Sequence, residues 1–99
     1  MSNLVLKIVK ILMEICESQI DTDVSFWVGQ NKLTFELEHR YGGDLLLRAK
    51  IVDEMNPYST VIWSNYIYCG IWTEKAWTIR PSDTTRLVEQ AIVAAKKEQ

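Results

Sequence analysis

The stretch VIWSNYIYCGIW, residues 61–72, carries large apolar side chains at both odd and even positions. Successive side chains of a β-strand point to opposite faces of a sheet, so a strand here places apolar groups on both faces. The odd positions hold Val61, Trp63, Ile67, Cys69 and Ile71, and the even positions hold Ile62, Tyr66, Tyr68 and Trp72. A chain of 99 residues forms one domain with one core, which covers one face. The second face needs another explanation.

The composition is that of an ordinary globular protein, with 47% apolar and 24% charged residues. We therefore expect a single domain over residues 1–99. The net charge of −2 and the dispersed Lys and Arg residues argue against a nucleic-acid partner. Lys7 and Lys10 interrupt the apolar N-terminal segment, which therefore reads as a helix of the mature protein rather than a signal peptide. We expect a cytoplasmic protein with no membrane partner.

The predicted first helix, SNLVLKIVKILMEICES, is apolar around most of its circumference. Its polar positions recur at intervals of three and four residues and form one narrow stripe, namely Lys7, Lys10, Glu14 and Glu17. A helix on one sheet needs an apolar stripe of only about 100°. This helix is therefore expected to bury more than one side.

Three predicted hairpins set which strand positions face the core. A two-residue loop at Gln30–Asn31 gives the inward pairs Val28–Leu33, Phe26–Phe35 and Val24–Leu37, with Trp27 opposite Thr34 on the outer face. A three-residue loop at Gly42–Asp44 pairs Tyr41 with Leu45 and sends Leu47, Ala49 and Ile51 inward. A three-residue loop at Thr73–Lys75 pairs Ile71 with Trp77 and Cys69 with Ile79.

A second helix is predicted after Pro81, with Ser82 or Asp83 as its N-cap. Its apolar stripe consists of Leu87, Val88, Ala91, Ile92 and Ala95. The sequence thus predicts an α+β fold, a two-layer sandwich in which an antiparallel five-stranded meander is flanked by an N-terminal and a C-terminal helix (α-β-β-β-β-β-α).

The predicted outer sheet face combines aromatic residues with Arg, which are the residue types enriched at protein-binding hot spots. The candidate partner-binding residues are Trp27, Arg40, Arg48, Tyr66, Tyr68 and Trp72. The alternative without a binding function is a solvated face on which the rings cover the aliphatic parts of the Arg and Lys side chains. The interface hypothesis predicts a non-catalytic protein-protein interaction module, an adaptor, small chaperone or inhibitor, whose partner is another protein, foremost a second copy of itself in a homodimer.

Catalytic and cofactor motifs are lacking in the sequence. His39 is the sole histidine, and Cys16 and Cys69 have neither CxxC spacing nor zinc-site companions. We therefore expect no enzyme, cofactor or metal site, and two reduced buried thiols. The runner-up hypothesis is a small-molecule-binding protein or small enzyme with a pocket at His39, Tyr41 or Cys69. The third is single-stranded nucleic acid on the aromatic face.

Overall fold

The predicted fold class is confirmed by the computed structural model, which describes residues 3–18, 22–53, 60–73 and 76–97. Five antiparallel strands follow one another in the order β1-β2-β3-β4-β5, with one helix before them and one after. The elements are α1 (Asn3–Ser18), β1 (Thr22–Val28), β2 (Asn31–His39), β3 (Asp44–Asp53), β4 (Thr60–Thr73), β5 (Ala76–Ile79) and α2 (Pro81–Lys97).

Both helices contribute to one core on the inner face of the curled sheet. α2 packs against the first four strands, and α1 packs against α2, β5 and β2. The largest fully buried side chains come from both layers, among them Phe35, Ile8, Leu12, Leu33, Leu47, Ile51, Leu87 and Val88. The predicted inward positions of β2 and β3 are therefore confirmed.

The first hairpin has the predicted faces but a different register. Val28 lies opposite Asn31, and the turn is Gly29–Gln30 rather than Gln30–Asn31. Gly29 has a φ of 62°, which suits the first central position of a tight hairpin turn. The pairs are displaced by two residues, and an even displacement leaves every side chain on its face. Trp27 is accordingly opposite Lys32, not Thr34.

Asn31 explains why the register settles there. Its side chain is buried, and its Nδ2 donates a hydrogen bond to the carbonyl oxygen of Ala95 at 2.9 Å. Ala95 lies in the last turn of α2, where helix carbonyls have no partner within the helix. The hairpin end is thereby fixed to the end of α2.

The second hairpin is also displaced by two residues from its predicted register. His39, not Tyr41, lies opposite Leu45. The turn is closed by the bond from the Arg40 amide to the Asp44 carbonyl oxygen, at 2.9 Å. Its Gly43 has a φ of 87°, which other residues rarely adopt. Leu47, Ala49 and Ile51 remain inward and buried, as predicted.

Two β-bulges in β4 change which of its residues face the core. Leu45 pairs with Gly70 and Leu46 with Tyr68, so Cys69 is an extra residue in the strand. Beyond this bulge the alternation is inverted, because an inserted residue exchanges the two faces. The predicted inward position of Ile71 and outward position of Trp72 are therefore wrong. The second bulge, at Ile62, places Val61 opposite Val52 on the outer face, which also contradicts the prediction.

The hairpin between β4 and β5 differs from the predicted pairing by one position. Trp72 pairs with Trp77 and Gly70 with Ile79, whereas Ile71–Trp77 and Cys69–Ile79 were expected. Thr73 and Ala76 close the ladder, while Glu74 and Lys75 lie outside the described residues. The odd displacement puts both tryptophans on one side of the sheet.

The apolar circumference of α1 is only partly used within the chain. Its buried residues lie on one face and are Val5, Ile8, Val9, Leu12 and Cys16. Leu4, Met13 and Ile15 pack at the border of the core, whereas Leu6 is exposed. The expected burial on more than one side is therefore incomplete in this chain.

Candidate functional site

The six predicted binding residues do not form one continuous patch. Trp27 lies at one corner of the outer sheet face, and Tyr66 and Tyr68 lie on β4 at the other side. Between them runs a polar row in which Ser25, Thr34, Lys50 and Ser64 stand opposite one another. The predicted contiguous aromatic face is therefore interrupted.

Charged side chains occupy the outer face beside the two tyrosines. Glu36 bonds Lys50 at 2.9 Å and lies 3.9 Å from Arg48, which itself stands opposite Tyr66. These ion pairs confirm that Arg48 and Lys50 point outward beside Glu36. Glu38 and Asp23 add two more carboxylates to this face, which disfavours a nucleic acid because like charges repel.

Tyr66 and Tyr68 form a small aromatic pair of their own. Their ring centroids are 6.2 Å apart and the rings are nearly perpendicular, at 87°. This edge-to-face arrangement is favourable for aromatic pairs. Leu46, opposite Tyr68, is almost fully buried although it lies on the outer face. Tyr68 is therefore the nearest cross-strand neighbour of a buried apolar side chain on this face.

A second group of aromatic residues forms a cleft at the end of the sheet. We call it the aromatic cleft; it is lined by His39, Arg40, Tyr41, Gly43, Trp72 and Trp77. The ring centroids of Trp72 and Trp77 are 5.4 Å apart, and those of His39 and Trp77 are 4.9 Å apart. Both pairs meet edge to face, so the rings form a folded wall rather than a stack.

The cleft follows from the turn and the bulge described above. His39 ends β2, and the turn after it carries Arg40 and Tyr41. The Trp72 amide donates to the Gly43 carbonyl oxygen at 2.7 Å, which fastens this turn to β4. Because the Cys69 bulge inverts the alternation, Trp72 turns toward Trp77 instead of toward Tyr68.

His39 lies between the cleft and α1. Its Nε2 is 3.4 Å from the carbonyl oxygen of Cys16, and its ring contacts Trp77. The prediction that His39 points inward at the end of its strand is confirmed. Its position is therefore set by α1 on one side and by β5 on the other.

Neither cysteine is placed or tuned to act as a nucleophile. Both are buried and free, and Cys69 does not line the aromatic cleft. Burial raises the pKa of the Cys69 thiol to about 12, and the nearby Cys16 adds to this effect. Burial also raises the pKa of Cys16. Since the thiolate is the reactive form, both groups stay inert at neutral pH.

Across the described ranges, no three His, Cys, Asp or Glu side chains are grouped as metal ligands would be. In the same parts of the chain, no helix has the length and apolar content needed to cross a membrane. No protein-family model, curated protein or solved structure matches this chain.

The aromatic cleft unites residues that the sequence had assigned to two different hypotheses. Arg40 and Trp72 were expected on the outer face, and His39 and Tyr41 were expected at a small-molecule pocket. Trp77 was assigned to neither. A glycine inside a strand pattern often marks a bulge, so Gly70 was the feature that could have indicated where Trp72 points.

Proposed function

We propose that this protein is a non-catalytic protein-binding module, an adaptor, small chaperone or inhibitor, whose aromatic cleft receives a bulky apolar side chain of a partner protein. The main support for this proposal is the wall formed by Trp72 and Trp77, which Tyr41 and Arg40 border. Trp, Tyr and Arg dominate the binding energy of protein interfaces, especially where they line a pocket. Tyr41 is fully exposed and therefore accessible to a partner's side chain.

The charge at the cleft indicates what accompanies that apolar side chain. Arg40 is exposed, and in the described part of the chain neither Asp nor Glu is among the residues that line the cleft. Guanidinium groups bind carboxylates through paired hydrogen bonds. The preferred partner segment therefore carries an Asp, a Glu or a terminal carboxylate beside its apolar residue.

Selection from a displayed peptide library tests this function. Peptides that bind the immobilised protein should share a bulky apolar residue next to an acidic one. Trp72→Ala should weaken their binding by at least about ten-fold, because it removes one wall of the cleft. The matched control is Trp27→Ala, since Trp27 is 63% exposed and lies away from the cleft. Equal binding by wild type and Trp72→Ala would refute the proposal.

A small molecule in the same cleft is the second candidate function. It is favoured by the imidazole of His39 and the phenol of Tyr41 on the wall and by a volume of about 410 Å³, within the range of ligand sites. His39→Gln should then abolish ligand binding in a thermal-shift screen. Under the protein-binding hypothesis this substitution changes stability but leaves peptide affinity nearly unchanged.

The cytoplasm is the compartment that suits this proposal best. Both cysteines are free and buried within regular elements, as is usual where thiols are kept reduced. Detection of the intact protein in a cytoplasmic fraction, with both thiols reduced, would support this location, whereas recovery from an oxidising compartment would contradict it.

A further inference from the structure

Strand β4 has an edge that its neighbours leave largely uncovered. It contains 14 residues, and β3 pairs with it from Thr60 to Ile71. On its other side β5 pairs only with Gly70–Thr73. Within the described part of the chain, the segment from Thr60 to Tyr68 therefore has no strand on this second edge.

Local groups already occupy parts of this edge. The Tyr66 amide donates to the Oδ1 of the preceding Asn65 at 2.9 Å, and the Tyr68 carbonyl oxygen accepts a bond from the Arg80 guanidinium. Alternate residues of an antiparallel strand turn their peptide groups to opposite neighbours. Ser64, Tyr66 and Tyr68 thus present their peptide groups to the uncovered edge.

Between the two bulges of β4, the described edge lacks the charged residues and the proline that protect many edge strands. Exposed edge strands are commonly blunted by Lys, by other charges or by proline. β4 contains no charged residue and no proline from Thr60 to Thr73. The opposite edge strand, β1, carries Asp23 and is seven residues long. An unprotected edge of this length favours the addition of another strand.

We propose that this edge pairs antiparallel with the same edge of a second copy of the chain, with the two-fold axis at Asn65. Between the two bulges the sequence WSNYI, residues 63–67, is nearly symmetric in character about Asn65. In this register Trp63 faces Ile67 of the second copy, Ser64 faces its Tyr66, and the two Asn65 residues face each other. A closed two-fold interface of this kind uses one surface twice.

The pairs so formed are chemically suited to one another. Trp63 and Ile67 give an aromatic and β-branched pair on each side of the axis, a favourable cross-strand combination. Ser64 of one copy and Tyr66 of the other exchange backbone hydrogen bonds. The Tyr66 amide gives up its bond to the Asn65 Oδ1 when it donates to Ser64 of the second copy. The Nδ2 of Asn65 donates to the Oε1 of Gln90 in α2 at 3.2 Å, and the Oδ1 released by Tyr66 can accept a hydrogen bond from the second copy.

The helix layer indicates why the occupant is a second copy rather than an unrelated strand. A two-fold axis perpendicular to the sheet keeps α2 of both copies on the same side. Beside the edge lies a groove with an apolar lining of Trp63, Val93 and Ala94 and a polar lining of Asn65, Gln90 and three charged residues of α2, namely Arg86, Glu89 and Lys97. Val93 is 51% exposed there. The second α2 would cover this groove, whereas a lone strand would leave it open.

This dimer is independent of the proposed function, because none of the residues that line the aromatic cleft lies between Trp63 and Ile67. Its test is the solution mass of the full chain, measured by light scattering over a wide concentration series. The wild type should be a dimer. Asn65→Lys and Asn65→Asp should each weaken it on the order of ten-fold, because like charges then oppose each other at the axis.

An equimolar mixture of the two variants should restore the dimer, since Lys then faces Asp. The matched controls are Thr22→Lys and Thr22→Asp, which place the same charges on β1 and should leave the mass unchanged. If the Asn65 variants do not fold, Ser64→Pro against Ser64→Ala replaces them, because proline removes the amide that faces the edge whereas alanine keeps it.

A wild-type monomer at every concentration would overturn the proposal and leave the edge to a different partner. A dimer that neither charge variant weakens, or whose variants do not recombine, would also overturn it, because the contact would then lie elsewhere. Trp72→Ala should keep the wild-type mass, so a failed cleft and a failed dimer are distinguishable.

Discussion

Replacing Gly70 by alanine should separate β5 from β4. A Cβ at this position would lie 3.0 Å from both the Cα of Ile79 and the carbonyl carbon of Thr78, and closer still to the Thr78 oxygen. These are backbone atoms, so the clash cannot be relieved by rotating a side chain. Overpacking typically costs about 1–3 kcal/mol, and we expect the upper end, about 3 kcal/mol, for Gly70→Ala.

Urea denaturation followed by tryptophan fluorescence measures this loss of stability. Trp72 and Trp77 pair in the same ladder as Gly70 and Ile79, so their fluorescence reports on the separation of the two strands. For a domain of this size such a loss lowers Tm by at least about 10 °C. The control is Gly42→Ala, whose added Cβ would meet only the Asp44 carboxylate, at 3.8 Å. It should be neutral or stabilising by up to about 1 kcal/mol. A Gly70→Ala variant as stable as the wild type would show that β5 does not pack this closely.

Two further predictions concern buried polar groups. Asn31→Ala should lower the free energy of unfolding by about 1–3 kcal/mol, because the Ala95 carbonyl oxygen loses its bond at 2.9 Å; a urea titration measures the loss, and an unchanged midpoint would contradict it. Stability should fall as pH rises above 9, since the unfolded Cys69 thiol ionises near its ordinary pKa of 9.0 while the folded one holds its proton to about 12. Urea titrations at several alkaline pH values should show a steeper fall of the unfolding free energy with pH for wild type than for Cys69→Ala. Equal pH dependence of the two proteins would contradict the raised pKa of Cys69.

The predicted faces of β1 to β3 are correct although two registers are not. Both hairpins are displaced by two residues, and a shift by an even number leaves the buried set unchanged. The predicted pairing of Val28 with Leu33 failed because Gly29, rather than Asn31, supplies the turn conformation. Alternation therefore determines faces, whereas turn geometry determines which residues are opposite.

The aromatic cleft was harder to predict because β4 has apolar residues at both odd and even positions. Where both faces are apolar, the pattern does not reveal an inserted residue, and Cys69 is such an insertion. The placement of Trp72 failed for this reason, and Trp77 was missed with it. The positions of Arg40 and Tyr41 also depend on the turn, whose Gly43 carbonyl oxygen accepts a hydrogen bond from the Trp72 amide at 2.7 Å. That contact joins residues too distant in the chain for periodicity to reveal.

The position of α1 has a consequence for how the chain is made. This helix is synthesised before the sheet, yet its packing partners include β5 and α2, which follow the other four strands in the chain. A nascent chain therefore exposes the apolar positions of α1 until α2 has left the ribosome. Contacts between distant segments slow folding, and exposed apolar surface in an incomplete chain promotes aggregation. A truncated chain that stops before α2 should consequently depend on chaperones during synthesis.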